Sequence, residues 1–123
     1  MARGKILIID DELEIRDFLR DFFEDRDFDV VTAAHGLEGC EKFKTAAPFD
    51  LVICDMLMPH MIGLDVLRNI KASHPDQRII LMTGVKENSM VDKAKQLGCH
   101  LYLTKPVGLS DLETKVEECF PAS

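Results

Sequence analysis

Five short segments of apolar or β-branched residues alternate along the chain with five stretches whose apolar residues recur every three or four positions. Short apolar segments bounded by turn residues predict strands, and the wider spacing predicts helices with one buried face. The predicted strands cover residues 5–9, 28–33, 51–54, 78–82 and 100–104. Because continuous apolar strands alternate with amphipathic helices, they predict a parallel sheet covered on both faces.

Each predicted helix is defined by apolar residues expected to face the sheet. In chain order these are Ile15, Phe18, Leu19, Phe22 and Phe23; Leu37, Cys40 and Phe43; Leu64, Val66, Leu67 and Ile70; Met90 or Val91 with Ala94 and Leu97; and Leu112, Val116 and Cys119. The first helix is expected over residues 12–26, and Gly98 is expected to close the fourth, which Asn88 or Ser89 could cap. Right-handed crossovers restrict the fold to a doubly wound α/β sheet, although the pattern leaves the strand order open.

Composition places the chain among ordinary globular domains. Its 123 residues are expected to form a single domain, residues 1–123, that needs neither disulfides nor a metal to fold. The four cysteines show no paired spacing, so we expect reduced, mostly buried thiols. The net charge of −7 argues against direct contact with nucleic acid. No apolar run has the length of a membrane span and no signal peptide is recognisable, so we expect a cytoplasmic protein without membrane contact.

Polar residues follow four of the five predicted strands directly. Asp10 and Asp11 follow the first strand, Asp55 the third, Thr83 the fourth and Lys105 the fifth. One acid after one strand could simply cap a loop. The carboxyl ends of parallel strands share one edge, however, and open α/β sheets bind their ligands there. The sequence therefore predicts a site in which three carboxylates, a hydroxyl and an ammonium group converge.

The chemistry of these groups suits phosphoryl acceptance. Clustered carboxylates repel each other and require a cation, and oxygen ligands without nearby His or Cys favour Mg²⁺ over zinc. A carboxylate such as Asp55 can also attack phosphorus and form an aspartyl phosphate. Lys105 could neutralise charge on the phosphoryl oxygens, and the hydroxyl of Thr83 could donate a hydrogen bond to them.

With these residues the chain resembles the response-regulator receiver domains of two-component signalling along its whole length. The resemblance rests on four motifs in order, namely Asp10-Asp11, the segment 55–63 (Asp-Met-Leu-Met-Pro-His-Met-Ile-Gly), Thr83-Gly84 and Lys105-Pro106. The segment 55–63 is similar to the family pattern D-x-x-M-P-x-M-D-G. The resemblance implies a flavodoxin-like three-layer sandwich with five helices and a five-stranded parallel sheet in the order 2-1-3-4-5.

The resemblance also implies roles for the residues of the site. Asp55 would be the phosphoacceptor and would receive the phosphoryl group from a phosphohistidine on a histidine kinase or a histidine phosphotransfer protein. Asp10 and Asp11 would hold Mg²⁺, the implied cofactor, together with Asp55 and the backbone carbonyl of Leu57. Lys105 would pair with the phosphoryl group.

Two further residues would form a switch. Thr83 would turn toward the phosphoryl group, and Tyr102 would follow it inward. The surface around the fourth helix, the fifth strand and the fifth helix would then change and would be read by a downstream protein or an output domain. From its position alone, Tyr102 could equally be a strand residue with its hydroxyl at the surface. The resemblance further implies a cis bond before Pro106.

The chain departs from the family pattern at two places. Ile62 stands where the motif usually carries Asp, and we expect it to affect the shape of the loop and not the chemistry. Leu57 and Val85 are apolar at positions that flank the phosphoryl group in the family. Because they offer no hydrogen bond to the hydrolytic water, we expect a long-lived phosphoryl group, which Leu57→Asn combined with Val85→Glu should shorten.

Other functions fit the chain less well. A hydrolase that turns over an aspartyl phosphate through an Asp-x-Asp motif needs an acid two residues after Asp55, where Leu57 stands, so we expect a switch and not a turnover enzyme. A nucleotide or flavin carrier needs a phosphate-binding loop, and the loop after the first strand is Asp-Asp-Glu. The intact acceptor set argues against a degenerate receiver that binds its partner constitutively. The chain could also be the receiver fragment of a longer response regulator or hybrid kinase.

Overall fold

The computed structural model describes residues 2–84 and 88–120, and in them five strands alternate with five helices. The strands are β1 (Gly4–Ile9), β2 (Phe28–Ala33), β3 (Leu51–Asp55), β4 (Ile79–Thr83) and β5 (Leu101–Thr104). The helices are α1 (Leu13–Glu24), α2 (Gly36–Ala46), α3 (Gly63–Ser73), α4 (Asn88–Gln96) and α5 (Leu109–Cys119). Every predicted element is present, and α1 is shorter than the predicted range 12–26.

The five strands form one parallel sheet in the order β2-β1-β3-β4-β5. The doubly wound fold and the strand order implied by the resemblance are therefore confirmed. Ile9 pairs with Cys54, and Asp55 pairs with Met82. This register brings the carboxyl ends of the three central strands level with one another.

Helices cover the sheet on both faces. α2, α3 and α4 pack on one face, and α1 and α5 pack on the other. The side chains of β3 alternate between the two cores, with Val52 and Cys54 facing the first and Leu51 and Ile53 facing the second. These contacts confirm the three-layer sandwich. All four cysteines are buried and free, as predicted.

The fourth helix packs as its sequence pattern predicted. Ala94 is buried in the core of that face, and Met90 and Leu97 pack against the same core. Gly98 follows the helix with a φ of +94°, a left-handed conformation that glycine adopts without strain. None of the helices in the described part of the chain is long and apolar enough to cross a membrane.

The predicted inward position of Leu37 is wrong, because 66% of its surface is exposed. Cys40 and Phe43 are buried as predicted, and Gly36 and Gly39 complete the buried stripe of α2. A side chain on Gly39 would overlap Ile9, so the helix lies directly against β1 at this point. Because two residues of the buried stripe are glycines, the stripe is not visible as an apolar pattern. Leu37 lies one position, about 100°, away from it.

The inward position predicted for Phe18 is also wrong, because 38% of its surface is exposed. Leu19, Phe22 and Phe23 form the buried face of α1. Phe18 lies at the margin of that face, in a shallow groove that it shares with Pro106 and Val107. The apolar residues of α1 thus extend over a wider stripe of the helix than the sheet covers.

A reciprocal capping pair fixes the start of α2. The backbone N–H of Glu38 donates a hydrogen bond to His35 Nδ1 over 3.2 Å, and the backbone N–H of Ala34 donates to the Glu38 carboxylate over 2.5 Å. The second of these bonds lowers the pKa of Glu38. The pair satisfies two backbone donors and holds the turn between β2 and α2 at the carboxyl edge of the sheet.

Candidate functional site

The residues predicted at the strand ends converge at the carboxyl edge of the sheet. Asp10 follows β1 directly, and the register of β1 and β3 places it beside Asp55. Thr83 ends β4 and pairs with Thr104, and Lys105 follows at once. The backbone N–H of Lys105 donates to the carbonyl of Thr83 over 2.8 Å. The sheet thus brings together groups that are up to 95 positions apart in the sequence.

Three carboxylates form the centre of this site. Asp10, Asp11 and Asp55 each offer an oxygen within 4.8 Å of the others. Asp10 is fully buried, Asp55 is 5% exposed and Asp11 is exposed. The backbone N–H of Glu12 donates to Asp10 Oδ1 over 2.8 Å. Asp10 Oδ2 is buried and accepts no hydrogen bond from any group of residues 2–84 and 88–120.

Lys105 is the cation that the structure places among these acids. Its Nζ lies 3.1 Å from Asp55 Oδ2 and 3.2 Å from Asp10 Oδ2, where the contact is an ion pair without hydrogen-bond geometry. The same Nζ lies 3.6 Å from Glu12 Oε1. A single ammonium group therefore serves several carboxylates at once.

Burial is the largest influence on the pKa values of Asp10 and Asp55. Loss of solvent raises the pKa of Asp10, although the hydrogen bond from Glu12 and the charge of Lys105 act against the rise. Burial, reinforced by repulsion from Asp10, raises the pKa of Asp55 from 3.8 to about 6 despite the contact with Lys105. Burial alone would lower the pKa of Lys105, but attraction to Asp10 and Asp55 outweighs it and raises that pKa. One ammonium group is thus too little positive charge for the cluster.

The donor set fits a hard divalent cation. Asp10 Oδ2 is an anionic oxygen that is buried without a hydrogen bond, and two further carboxylates offer oxygens within 4.8 Å. Oxygen donors of this kind suit Mg²⁺, which binds through one or two carboxylates and keeps part of its water shell. The exposed side of Asp11 leaves room for that water. A cation bound here would relieve the repulsion and give Asp10 Oδ2 a second positive partner besides Lys105.

The two predicted switch residues lie at different depths. Thr83 is 6% exposed at the end of β4. Tyr102 is half-buried, and its ring packs against the core between the sheet and α4. Its hydroxyl donates to the carbonyl of Cys99 and lies 3.5 Å from the carbonyl of Val91 on α4. Burial raises the pKa of Tyr102 to about 12. The hydroxyl is therefore bonded to the protein, and its role in switching stays a prediction.

The loop between β3 and α3 carries the departures from the family pattern. Leu57 is 48% exposed, and its backbone N–H acts against the rise in the pKa of Asp55. Ile62 precedes α3 and packs against the core, outside the acidic cluster, as predicted. Val85, the other residue expected to affect the phosphoryl lifetime, lies outside the described residues. The bond between Lys105 and Pro106 is cis, as the resemblance implied.

Two residues of the site were not singled out from the sequence. Glu12 reaches Lys105 from the start of α1, and the available signal was that it is the third consecutive acid in the run that begins at Asp10. Gly63 lies so close to β3 that a Cβ there would sit 2.7 Å from the carbonyl oxygen of Asp55. Its place in the motif was noted, but this packing role depends on a contact that the sequence does not reveal.

Comparison with known proteins agrees with this fold. The profile described as response regulator receiver domain matches residues 6–117. The chain therefore belongs to the response regulator receiver domain family. Such domains act in two-component signalling, where they interact with histidine kinases, phosphotransfer proteins and output domains.

Individual relatives cover nearly the whole chain. The chain is 32% identical over 121 residues to sporulation initiation phosphotransferase F of Bacillus subtilis, covering 98% of this chain and 97% of that protein. It is 35% identical over 103 residues to chemotaxis protein CheY of Listeria monocytogenes, covering 83% and 86% of the two chains. Among solved structures, a receiver domain protein from Clostridium thermocellum is similar with a TM-score of 0.88 and 35% identity, covering 98% of this chain and 94% of that one.

Proposed function

We propose that this chain is a phosphorylation-dependent switch in which Asp55 accepts a phosphoryl group from a phosphohistidine on a histidine kinase or a phosphotransfer protein. The observation that carries the proposal is the position of Asp55, which ends β3 within 4.8 Å of two other acids and 3.1 Å from Lys105. With a pKa of about 6, this carboxyl group is mostly in its nucleophilic, ionised form at neutral pH.

The transfer requires little covalent chemistry from the protein. One carboxylate oxygen of Asp55 attacks phosphorus while the bond between phosphorus and the histidine nitrogen breaks. The electron pair of that bond returns to the imidazole, which takes up a proton from solvent, and Asp55 becomes an acyl phosphate. Negative charge spreads over the three transferred oxygens. Lys105 can bind one of these oxygens and the hydroxyl of Thr83 can donate to another, so positioning and electrostatics lower the barrier.

Mg²⁺ is the cofactor that we propose for this site. It would be held by Asp10, Asp11 and Asp55 and by the backbone carbonyl of Leu57. When bound, it supplies positive charge that offsets the acids and the phosphoryl oxygens. Asp10 contributes the buried Oδ2 to this set, and the backbone N–H of Glu12 holds the carboxylate in place through Oδ1.

We propose that the signal leaves the site through Thr83 and Tyr102. Attraction of the Thr83 hydroxyl toward the phosphoryl group would free space beside β5, and the ring of Tyr102 would move inward. The Tyr102 hydroxyl contacts the carbonyl of Val91, so its movement would alter how α4 lies against β5. A surface formed by α4, β5 and α5 would then differ between the two states and control a downstream protein or an output domain.

We further propose that residues 1–123 are a single receiver domain that dephosphorylates itself slowly and is not a turnover enzyme. Leu57 stands where an Asp-x-Asp hydrolase carries its general acid. The alternative is that the chain is the receiver part of a longer regulator. Full-length FixJ from B. japonicum illustrates that case, since the similarity covers 97% of this chain but 58% of that one, with a TM-score of 0.85 and 25% identity.

Incubation with acetyl phosphate and Mg²⁺ tests the proposal. Intact mass spectrometry should record the gain of one phosphoryl group by the wild type and no gain by Asp55→Asn. Asp50→Asn is the matched control, because it makes the same change at the opposite end of β3 and should still be phosphorylated. A gain that persists in Asp55→Asn would contradict the assignment of the acceptor. Rapid multiple turnover of a phosphate ester would support a hydrolase instead.

A further inference from the structure

A mostly apolar groove lies beside the acidic site, between the first turn of α2 and the loop that joins β3 to α3. Its volume is about 410 Å³. The residues that line it are Asp11, Ala34, His35, Gly36, Leu37, Pro59, His60 and Met61. Leu37 stands at its rim with 66% of its surface exposed. The site chemistry described above uses only Asp11 from this set.

Packing holds the groove open in a defined shape. A Cβ on Gly36 would lie 2.9 Å from the Cβ and Cγ of Met61, so the two walls touch at this glycine. The backbone N–H of Met61 donates to the carbonyl of Pro59 over 2.8 Å, and His60 between them has a φ of +70°. On the other wall, the capping pair at His35 fixes the start of α2. A groove whose walls are set in advance binds a side chain at low entropic cost.

The groove is continuous with the place where a phosphodonor must bind. Asp11 belongs to both, and it offers a carboxylate oxygen within 4.8 Å of one from Asp55. Protein interfaces cover roughly 600–800 Å² on each partner, which corresponds to a disc of roughly 15 Å radius. A protein that centres a phosphohistidine on Asp55 therefore extends over the adjoining groove.

Charge argues against a second copy of this chain as the occupant. The chain carries a net charge of −7, and the acidic cluster lies at one end of the groove. A second copy seated here would bring its own acids toward Asp11 and would be repelled. A partner with an apolar side chain and basic residues near its phosphohistidine has the complementary pattern.

We propose that the protein phosphodonor seats an apolar side chain in this groove, against Leu37 and Met61, when its phosphohistidine faces Asp55. The proposal rests on the phosphoacceptor role proposed above and adds a contact that selects the donor. A small phosphodonor such as acetyl phosphate reaches Asp55 without covering the groove. Transfer from a protein and transfer from a small molecule should therefore respond differently to changes at Leu37.

The test compares these two kinds of donor. Histidine kinases and phosphotransfer proteins encoded in the source genome are purified, phosphorylated on histidine and screened for the fastest transfer to the wild-type chain. Leu37→Gln should raise the half-saturating concentration for that donor about 5- to 30-fold, because an apolar contact of Leu size is lost. Leu37→Met should restore the wild-type value. Thr45→Gln, an exposed change near the other end of α2, should leave it unaltered.

Phosphorylation by acetyl phosphate is measured on the same proteins, and failure of the wild type there would contradict the acceptor proposal itself. The groove proposal is overturned if Leu37→Gln slows both donors equally, if protein transfer is unchanged, or if no screened protein transfers at all. Sedimentation velocity tests the other possible occupant of the groove, a second copy of this chain. A dimer that Leu37→Gln abolishes while transfer is unaffected would assign the groove to a second copy.

Discussion

The amino edge of the sheet, where the strands begin, and the carboxyl edge, where they end, differ in how their charged groups are paired. At the amino edge the side chains of Lys5 and Asp50 both have partners. The backbone N–H of Lys5 donates to Asp50 Oδ2 over 2.7 Å, and the Lys5 ammonium bonds to the carbonyl of Ala46 and lies 4.9 Å from the ring of Phe49. At the carboxyl edge, the carboxylates of Asp10, Glu12 and Asp55 share Lys105, and Asp10 Oδ2 accepts no hydrogen bond from the described residues.

This contrast shows that unfavourable electrostatic free energy in the folded protein is concentrated at the carboxyl edge. Raised pKa values at Asp10 and Asp55 mean that the ionised cluster destabilises the folded protein relative to the same groups in water. At the amino edge, Asp50 accepts a backbone N–H and the Lys5 ammonium meets a carbonyl oxygen and an aromatic ring, so these two charges have favourable partners in the folded protein. A site that must gain a cation and a phosphoryl group benefits from repulsion that the ligand relieves.

The largest expected effect comes from adding one methyl group at each edge. In Gly63→Ala the new Cβ would lie 2.7 Å from the backbone oxygen of Asp55, which cannot move without shifting β3. In Gly4→Ala the nearest atom, at 2.8 Å, is Oδ2 of the Asp50 side chain, which can rotate away. We expect Gly63→Ala to lower the free energy of unfolding by about 3 kcal/mol and Gly4→Ala by about 1 kcal/mol or less. Urea denaturation of the two variants measures this difference, and equal losses would contradict it.

The second-largest expected effect is a change in the free energy of unfolding that has opposite signs at the two ends of β3. Asp55→Asn removes a charge that burial disfavours, so it should raise the free energy of unfolding without Mg²⁺ at pH 7 by about 1 to 2 kcal/mol. Asp50→Asn weakens the hydrogen bond from Lys5 and should lower that free energy by up to about 1 kcal/mol. Urea denaturation at pH 7 with EDTA checks both. A loss of stability in Asp55→Asn would mean that the acidic edge is not strained.

The sign of the effect at Asp55 can be checked against pH. Between pH 3.8 and about 6 the unfolded carboxyl group loses its proton while the folded one keeps it. The folded state then binds more protons, so the free energy of unfolding falls as pH rises through this window. Asp55→Asn should make that fall smaller, and Asp50→Asn should leave it as in the wild type. Equal pH profiles for the wild type and Asp55→Asn would contradict the raised pKa.

The residues of the acidic site at the carboxyl edge were largely predictable from the sequence. The packing of α2 and the contacts at the amino edge were not. Asp10, Asp55 and Lys105 were found because the ends of parallel strands meet at one edge, a rule that needs no knowledge of contacts. The outward position of Leu37 was missed because glycines occupy the stripe that α2 buries. The bond between Lys5 and Asp50 joins residues 45 positions apart, and no local pattern predicts such a pair.

Addition of Mg²⁺ should strengthen the acidic edge alone. A ligand that binds only the folded state, at a free concentration of five times its dissociation constant, stabilises that state by about 1 kcal/mol. We expect a gain of this size for the wild type and for Asp50→Asn, and a smaller one for Asp10→Asn, which lacks the anionic Oδ2. Urea denaturation in MgCl₂ against NaCl of equal ionic strength, with reversal by EDTA, measures the gain. An equal gain in Asp10→Asn would remove this residue from the metal site.

The smallest expected effect concerns how long the phosphorylated state lasts. Leu57 is 48% exposed beside Asp55, and its apolar side chain cannot hold a water molecule for attack on the acyl phosphate. An amide at this position can orient that water, so Leu57→Asn should shorten the half-life of the phosphoryl group about 2- to 5-fold, less than 1.4 kcal/mol in the barrier. Leu57→Met keeps the apolar character and should retain the wild-type half-life. Loss of radiolabel from the purified phosphoprotein with Mg²⁺ measures the three lifetimes, and a half-life in Leu57→Asn equal to that of Leu57→Met would mean that this side chain does not control the water.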